Sequence, residues 1–348
     1  MTVKIFTPRQ RVIAVLNHET VDKIPFTVYE TLISRCNVER ILRNKGLCLV
    51  KRVHSYRIHY PDVSTKTITY TDEKKGRMVK TIYSTPYGDL TTLSQTNGYT
   101  TWQLENMFKT ANDYKRLLFL IKNAKIESNY NYIKHLDKNL GDDFILRDNL
   151  PLEPMQQFIS NYMGIETFSY EWVDNQDEVL KLYKAIVDVS RKIYPFVAES
   201  PISIVNYGGN VVPQVVGLEN FKKYYIPHYN EAADILHKKA KKLGVHLDAD
   251  NTIIMDEIAN SFLDYIEAYD PGISPSLDKA VKKFKDKVLW INWPSIWHLY
   301  PQSDISKLTN KLIRDWNLDF GLIIGITEDV PEDRWQKNFS DIMDGIEL

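Results

Sequence analysis

From about residue 142 onward, short apolar runs recur between longer stretches with helical spacing. Phe144-Ile-Leu-Arg147 reads as a strand, and a helix follows around Pro154 to Asn161. A long helix is expected over Asp177 to Ala198, and then the strand Ile202-Ser-Ile-Val-Asn206. Helical sequence from Glu219 to Lys242 leads to a strand at Val245. Tyr265-Ile-Glu-Ala268, Val288-Leu-Trp-Ile-Asn292 and Leu322-Ile-Ile-Gly-Ile326 complete the series, each separated from the next by helical sequence. Short apolar strands alternating with helices imply a parallel sheet covered on both faces. With this many units, closure into a (β/α)8 barrel is favoured over an open doubly wound sheet. Neither GxGxxG nor a Walker sequence is present to support a nucleotide-binding sheet.

The N-terminal part has a different texture. Thr7-Pro8 supplies a capping hydroxyl and a first-turn proline, and Val12, Ile13, Val15 and Leu16 give the helix an apolar face. Asp22-Lys-Ile-Pro25 ends it before a short strand, Phe26-Thr-Val-Tyr29. Between Thr65 and Ser94, threonine and tyrosine alternate with apolar residues around the turn-like Asp72-Glu-Lys-Lys-Gly76, which predicts an inserted β-hairpin or small meander. Helices are expected over Asn112 to Asn123 and Tyr130 to Leu140. The chain thus reads as one barrel domain over 1–348, with an N-terminal helical extension and the 65–94 hairpin set into it.

Composition narrows the function classes. The 348 residues are 43% hydrophobic and 26% charged, as in ordinary globular proteins. A net charge of −1 gives no basic field for nucleic acid or an anionic membrane. Cys36 and Cys48 show no CxxC spacing, so a disulfide framework and a thiolate zinc site are both disfavoured and a reducing cytoplasm is expected. No signal-like or membrane-spanning apolar run occurs.

Candidate chemistry gathers at strand ends. In Gly244-Val-His-Leu-Asp-Ala-Asp-Asn251 an apolar strand ends in His246, Asp248, Asp250 and Asn251 within six residues. A barrel builds its site where strands run into their following helices. Imidazole and carboxylates there can hold a divalent metal or move protons. Singly, Asp250 or Asn251 could cap a helix and His246 could be a core histidine; together the four favour a site. Glu267 interrupts an apolar strand, and Glu328 directly follows another with one threonine between. Burying such carboxylates is costly unless they are paired or bind a cation. Asp148, Tyr207, Asn210, Asn292 and Trp293 also stand at strand ends and are candidate substrate contacts. Trp293 is placed to wall an apolar or planar ligand, whereas Trp290 and Trp297 read as core. Gly208-Gly209 suits a tight turn or a close approach, with no cation beside it to suggest phosphate.

On these residues the chain resembles the uroporphyrinogen decarboxylase superfamily, nearer its cobalamin (corrinoid)-dependent methyltransferases than the true decarboxylases. The likeness runs through Thr7-Pro-Arg-Gln-Arg-Val-Ile-Ala-Val-Leu-Asn-His-Glu19 with Asp22-Lys-Ile-Pro25, and Tyr207-Gly-Gly-Asn210 with Pro213. It continues in Leu236-His-Lys-Lys-Ala-Lys-Lys-Leu-Gly-Val-His246, Asp264-Tyr-Ile-Glu-Ala268 and Gly325-Ile-Thr-Glu-Asp-Val-Pro331-Glu-Asp-Arg-Trp335. The resemblance implies a (β/α)8 barrel covering nearly the whole chain. Two departures matter. The true decarboxylases grip tetrapyrrole carboxylates with an arginine-rich N-terminal segment, but Pro25-Phe-Thr-Val-Tyr-Glu-Thr-Leu-Ile-Ser34 has no arginine before Arg35. Thiol-methylating members bind zinc through a His-x-Cys pair and a later cysteine, and the matching positions here are His246, Asp248 and Glu328. Such a set suits a harder divalent metal, or zinc acting as a Lewis acid on oxygen. The resemblance therefore implies methyl transfer from a small methylated donor to a corrinoid on a partner protein, and the carboxylate cluster offers Asp250 or Glu267 as a catalytic acid. The alternatives are a cofactor-independent decarboxylase or lyase of a small carboxylated substrate, and a non-catalytic ligand-binding barrel. A homodimer is compatible with the chain, and the oligomeric state is left open.

Overall fold

The computed structural model describes residues 5–97, 100–318 and 320–347. The chain divides into two compact units, one of Met1–Ser55, Asn129–Pro151 and Val197–Leu348, the other of Tyr56–Ser128 and Leu152–Phe196.

The first unit is a closed eight-stranded parallel barrel. Its strands are β1 (Phe26–Tyr29), β2 (Cys48–Val53), β3 (Phe144–Asn149), β4 (Ile204–Tyr207), β5 (Lys242–His246), β6 (Tyr265–Tyr269), β7 (Val288–Asn292) and β8 (Leu322–Ile326). Each pairs with its sequence neighbours, and β8 closes on β1 through Phe26–Ile324, Thr27–Gly325 and Val28–Ile326. Most of the strands are buried at every position, as expected when side chains pack on both faces.

Strand parity decides what each residue can do. Tyr29, Cys48, Val50, Ile145, Ile204, Tyr265, Val288, Trp290 and Ile323 share one buried cluster and mark the interior face. Val12, Val15 and Leu16 join that cluster from the helix Pro8–Leu16, which closes the end where the strands begin. The helix starts as its sequence predicts. Thr7 Oγ1 accepts from Gln10 N, Gln10 Oε1 accepts from Thr7 N, and Pro8 occupies the first turn. Moving up the same faces, the interior positions near the C-terminal mouth are Arg52, Arg147, Asn149, Asn206, His246, Glu267, Asn292 and Thr327. The register breaks after Glu267, where Ala268 adopts φ 60°. Such a bulge changes the direction of the chain at the edge of a site.

The second unit holds more than the hairpin expected over 65–94. Four antiparallel strands, Ser64–Asp72, Gly76–Thr85, Gly88–Asn97 and Thr100–Glu105, form one sheet. Alternation continues past Ser94 through Trp102 and Leu104, which carries the sheet one strand beyond the segment expected over 65–94. The turn at 72–76 is as expected, with Asp72 Oδ1 accepting from Lys74 N and Lys75 N and Gly76 at φ 78°. Residues 152–196 also belong to this unit. Among the described residues no helix is long and apolar enough to cross a membrane.

Candidate functional site

Six side chains on five strands or their following loops converge at the mouth. Tyr29 ends β1, Arg147 sits on β3, His246 ends β5 and Glu267 sits on β6. Asp248 and Glu328 each lie two residues beyond a strand end, after β5 and β8. Arg147 and Glu267 form an ion pair sealed from solvent. Arg147 Nη1 also donates to Tyr29 Oη at 3.0 Å, and Nη2 donates to Asn149 Oδ1 at 3.1 Å. The His246 Nδ1 edge meets Glu267 Oε2 at 3.2 Å and Tyr29 Oη at 3.3 Å. Its Nε2 edge faces the mouth, 3.5 Å from Glu328 Oε1 and 3.7 Å from Asp248 Oδ2. One donor atom from each of His246, Asp248 and Glu328 lies within 4.8 Å of the others, the spacing of a metal-ion ligand set.

The electrostatics follow from this knot. Burial alone would raise the Glu267 carboxyl, but Arg147 and then His246 outweigh it and hold the pKa at about 2. Burial opposes charge on His246, yet Tyr29 and the carboxylates of Asp248, Glu267 and Glu328 raise its pKa well above the usual value. Burial likewise raises Asp248, and His246 reverses the sign to leave it lowered. Burial pushes Tyr29 up to about 12, so its hydroxyl stays protonated. An ionised Glu267 fixes the ring by accepting from Nδ1–H, which leaves Nε2 as the ligand or donor edge, an arrangement typical of metal-binding histidines. Gly209, at φ 139°, lies against the ring's root. A Cβ there would come within 3.1 Å of His246 Cβ.

The sequence-predicted metal set, His246, Asp248 and Glu328, is therefore brought together, and Glu267 stands behind it. A permanently ionised Glu267 is suited to holding His246 and not to giving up a proton. Asp250 is turned elsewhere. Its Oδ1 accepts from Thr252 N at 3.0 Å and Thr252 Oγ1 at 2.5 Å, so it caps the turn at Thr252–Ile254. Asp148 points away from the interior, fully buried, and accepts from Ser55 N, Asn149 N and Ser200 Oγ. Tyr207 faces outward against Tyr229 of the helix Ile226–His237. Trp293 is likewise outside the barrel wall, donating to Thr309 Oγ1 at 2.9 Å and packing on Trp297 and His298. In all three the neighbour one residue back faces inward, and period-2 geometry sends the side chain the other way. Asn210 is exposed at φ 58°. Asn292 does face inward, but its Oδ1 accepts from Thr327 N and Oγ1, so it fixes the turn that presents Glu328.

Sequence reasoning missed Tyr29, Arg147, Arg52 and Asn206. The available signal was an arginine inside the apolar run of β3, because a cation at that depth needs an anionic partner. Asn206 faces inward and is buried, with no hydrogen-bond partner for Oδ1 among the described residues.

The fold is similar to that of a methyltransferase from Methanosarcina mazei, with TM-score 0.60 and 11% identity over 98% of each chain. A B12-independent methionine synthase from Shewanella sp. W3-18-1 aligns at TM-score 0.37 and 10% identity, over 89% of this chain and 84% of that one. A class V chitinase from Pseudomonas fluorescens Pf-5 aligns at TM-score 0.36 and 11% identity, over 64% and 87%. No protein-family model matches the chain, and no curated protein matches its sequence. At 11% identity the likeness to the methyltransferase is one of fold, and the fold they share is the (β/α)8 barrel.

Proposed function

We propose that this protein moves a methyl group from a small methylated donor, such as an ether or an amine, to a corrinoid carried by a partner protein. The observation that carries the reading is the imidazole of His246, held at Nδ1 by Glu267 and turned with Nε2 toward Asp248 and Glu328. Demethylation leaves excess charge on the departing heteroatom, and an electrophile fixed beside it lowers the barrier. Protonated His246, its charge favoured by the surrounding carboxylates, can offer Nε2–H to that atom. The same three residues also fit a divalent metal, since one fixed imidazole edge and two carboxylates form an acceptable set for zinc or a harder ion. A metal held there would supply Lewis acidity at the heteroatom.

The remaining residues orient and shield. Arg147 and Tyr29 hold Glu267, Glu267 holds His246, and Asn292 holds the turn before Glu328. Val212, Val215, Ile253, Ile273 and Ile296 are exposed on segments that follow β4, β5, β6 and β7. This apolar rim at the mouth suits docking of a partner protein. The resemblance to the corrinoid-dependent methyltransferases supports the same reading.

The test is methyl transfer from a panel of methylated ethers and amines to added cob(I)alamin, followed as the visible spectral change on cobalt methylation. His246→Ala should abolish it while the fold is kept. Turnover of a carboxylated substrate without any corrinoid would establish a lyase instead. Transfer that survives His246→Ala would sink the assignment of the site.

A further inference from the structure

Every charged side chain of the knot but one faces a group of opposite charge. Glu267 is paired with Arg147 and His246, and Asp248 and Glu328 both face His246 Nε2. The exception is Arg52, which follows Cys48 and Val50 along the interior face of β2 and stands beside Arg147 in register. Its guanidinium carbon lies 4.2 Å from the ring centroid of Tyr29, the residue that bonds His246 and Arg147. One N–H donates to Thr31 Oγ1 at 3.1 Å, and no carboxylate pairs with it among the described residues. A guanidinium carries five donors in a planar fork and never loses its charge in the physiological range. Here the fork rests on a buried ring, is exposed at the mouth and has most of its donors open.

We infer that Arg52 determines substrate class by binding a carboxylate on the methylated donor, an inference that rests on the methyl-transfer reading of the site. The stack on Tyr29 fixes the plane of the fork, so a carboxylate can meet two N–H groups side by side. The same ring bonds His246, so a donor gripped by Arg52 has its far end directed at the Nε2 edge. A neutral donor of equal size lacks that grip and leaves the cation without a counter-charge.

The experiment compares methoxyacetate with methoxyacetamide, which share the methyl ether and differ in charge, by titration calorimetry on the full chain. The acid should bind the wild-type protein on the order of tenfold to a hundredfold more tightly than the amide. Arg52→Gln should bring the acid down to the level of the amide and leave amide binding unchanged. Arg52→Lys, which keeps the charge, should retain a preference for the acid and controls for folding. Equal binding of the two compounds, no binding of the acid at millimolar concentration, or a preference that survives Arg52→Gln would each overturn the inference. The two readings fail separately. An acid preference traced to Arg52 without any methyl reaching cob(I)alamin refutes methyl transfer alone. Methyl transfer from carboxylated donors at rates untouched by Arg52→Gln refutes the carboxylate grip alone.

Discussion

Glu267→Gln removes one charge from the centre of the knot and changes almost nothing else in shape. Its carboxylate is without solvent exposure, and Arg147 opposite is nearly as deep. Arg147 Nε and Glu267 Oε1 have no hydrogen-bond partner among the described residues, so nothing takes over when the charge goes. Leaving one member of a buried pair alone typically costs about 3–5 kcal/mol. Proton linkage gives a second route to the magnitude. A carboxyl lowered from 4.5 to about 2 contributes about 3 kcal/mol at roughly 1.4 kcal/mol per pH unit. The sign is that of a depressed acid. The contribution is complete above the unfolded value of 4.5 and is lost as pH falls from there through about 2. Urea unfolding, followed by tryptophan fluorescence, should therefore show Glu267→Gln about 3 kcal/mol less stable than wild type at neutral pH, with the two converging as the pH is lowered toward about 2. A variant within about 0.5 kcal/mol of wild type at neutral pH, the scatter expected of a surface change, would refute this account. A gap that stays constant into acid would refute it as well.

Four further outcomes are expected. Asp248→Asn or Glu328→Gln should weaken zinc binding in calorimetry by more than the roughly tenfold to hundredfold typical of an outer partner such as Glu267, with the melting temperature unchanged or higher. In the wild type, affinity should climb with pH through neutrality, because the His246 pKa is raised and the ion must displace that proton. Trp293→Ala should cost about 3–5 kcal/mol in unfolding free energy and leave activity per folded molecule unchanged; a raised KM with stability intact would put Trp293 back among the substrate contacts. Deleting Lys74 to Gly76 should leave the unfolding of the barrel as it was, because those residues form an exposed turn tip.

Much of the barrel was legible because its strands are apolar at nearly every position and bounded by helical sequence, a pattern with few other solutions. The β2 strand escaped notice because Lys51 and Arg52 interrupt the run that Cys48, Leu49 and Val50 begin. The second unit was underestimated for the opposite reason. Its outer strand, Thr100–Glu105, is largely exposed and carries a texture close to that of loop sequence.

The same uniformity that reveals the strands hides which way each residue points. An amphipathic strand declares its inner face by alternation, whereas a strand buried on both sides does not, and a reading one residue out reverses the assignment. Asp148, Tyr207 and Trp293 were placed in the pocket on that footing, while Arg147, Asn206 and Asn292 occupy the interior positions. His246 and Glu267 were placed correctly because a polar residue inside an apolar strand has few outward partners available. One cue in the sequence does resolve parity. Gly244 stands two residues before His246, and a Cβ there would come within 2.1 Å of the Tyr265 ring. Gly325 stands two before Thr327, and a Cβ there would meet Trp290 Nε1 at 3.0 Å. A glycine inside an apolar strand marks the side on which a large neighbour fills the barrel. Counting forward by two from it reaches the mouth on the interior face. In β5 that count lands on His246, and in β8 it ends at Thr327, the residue that positions Glu328.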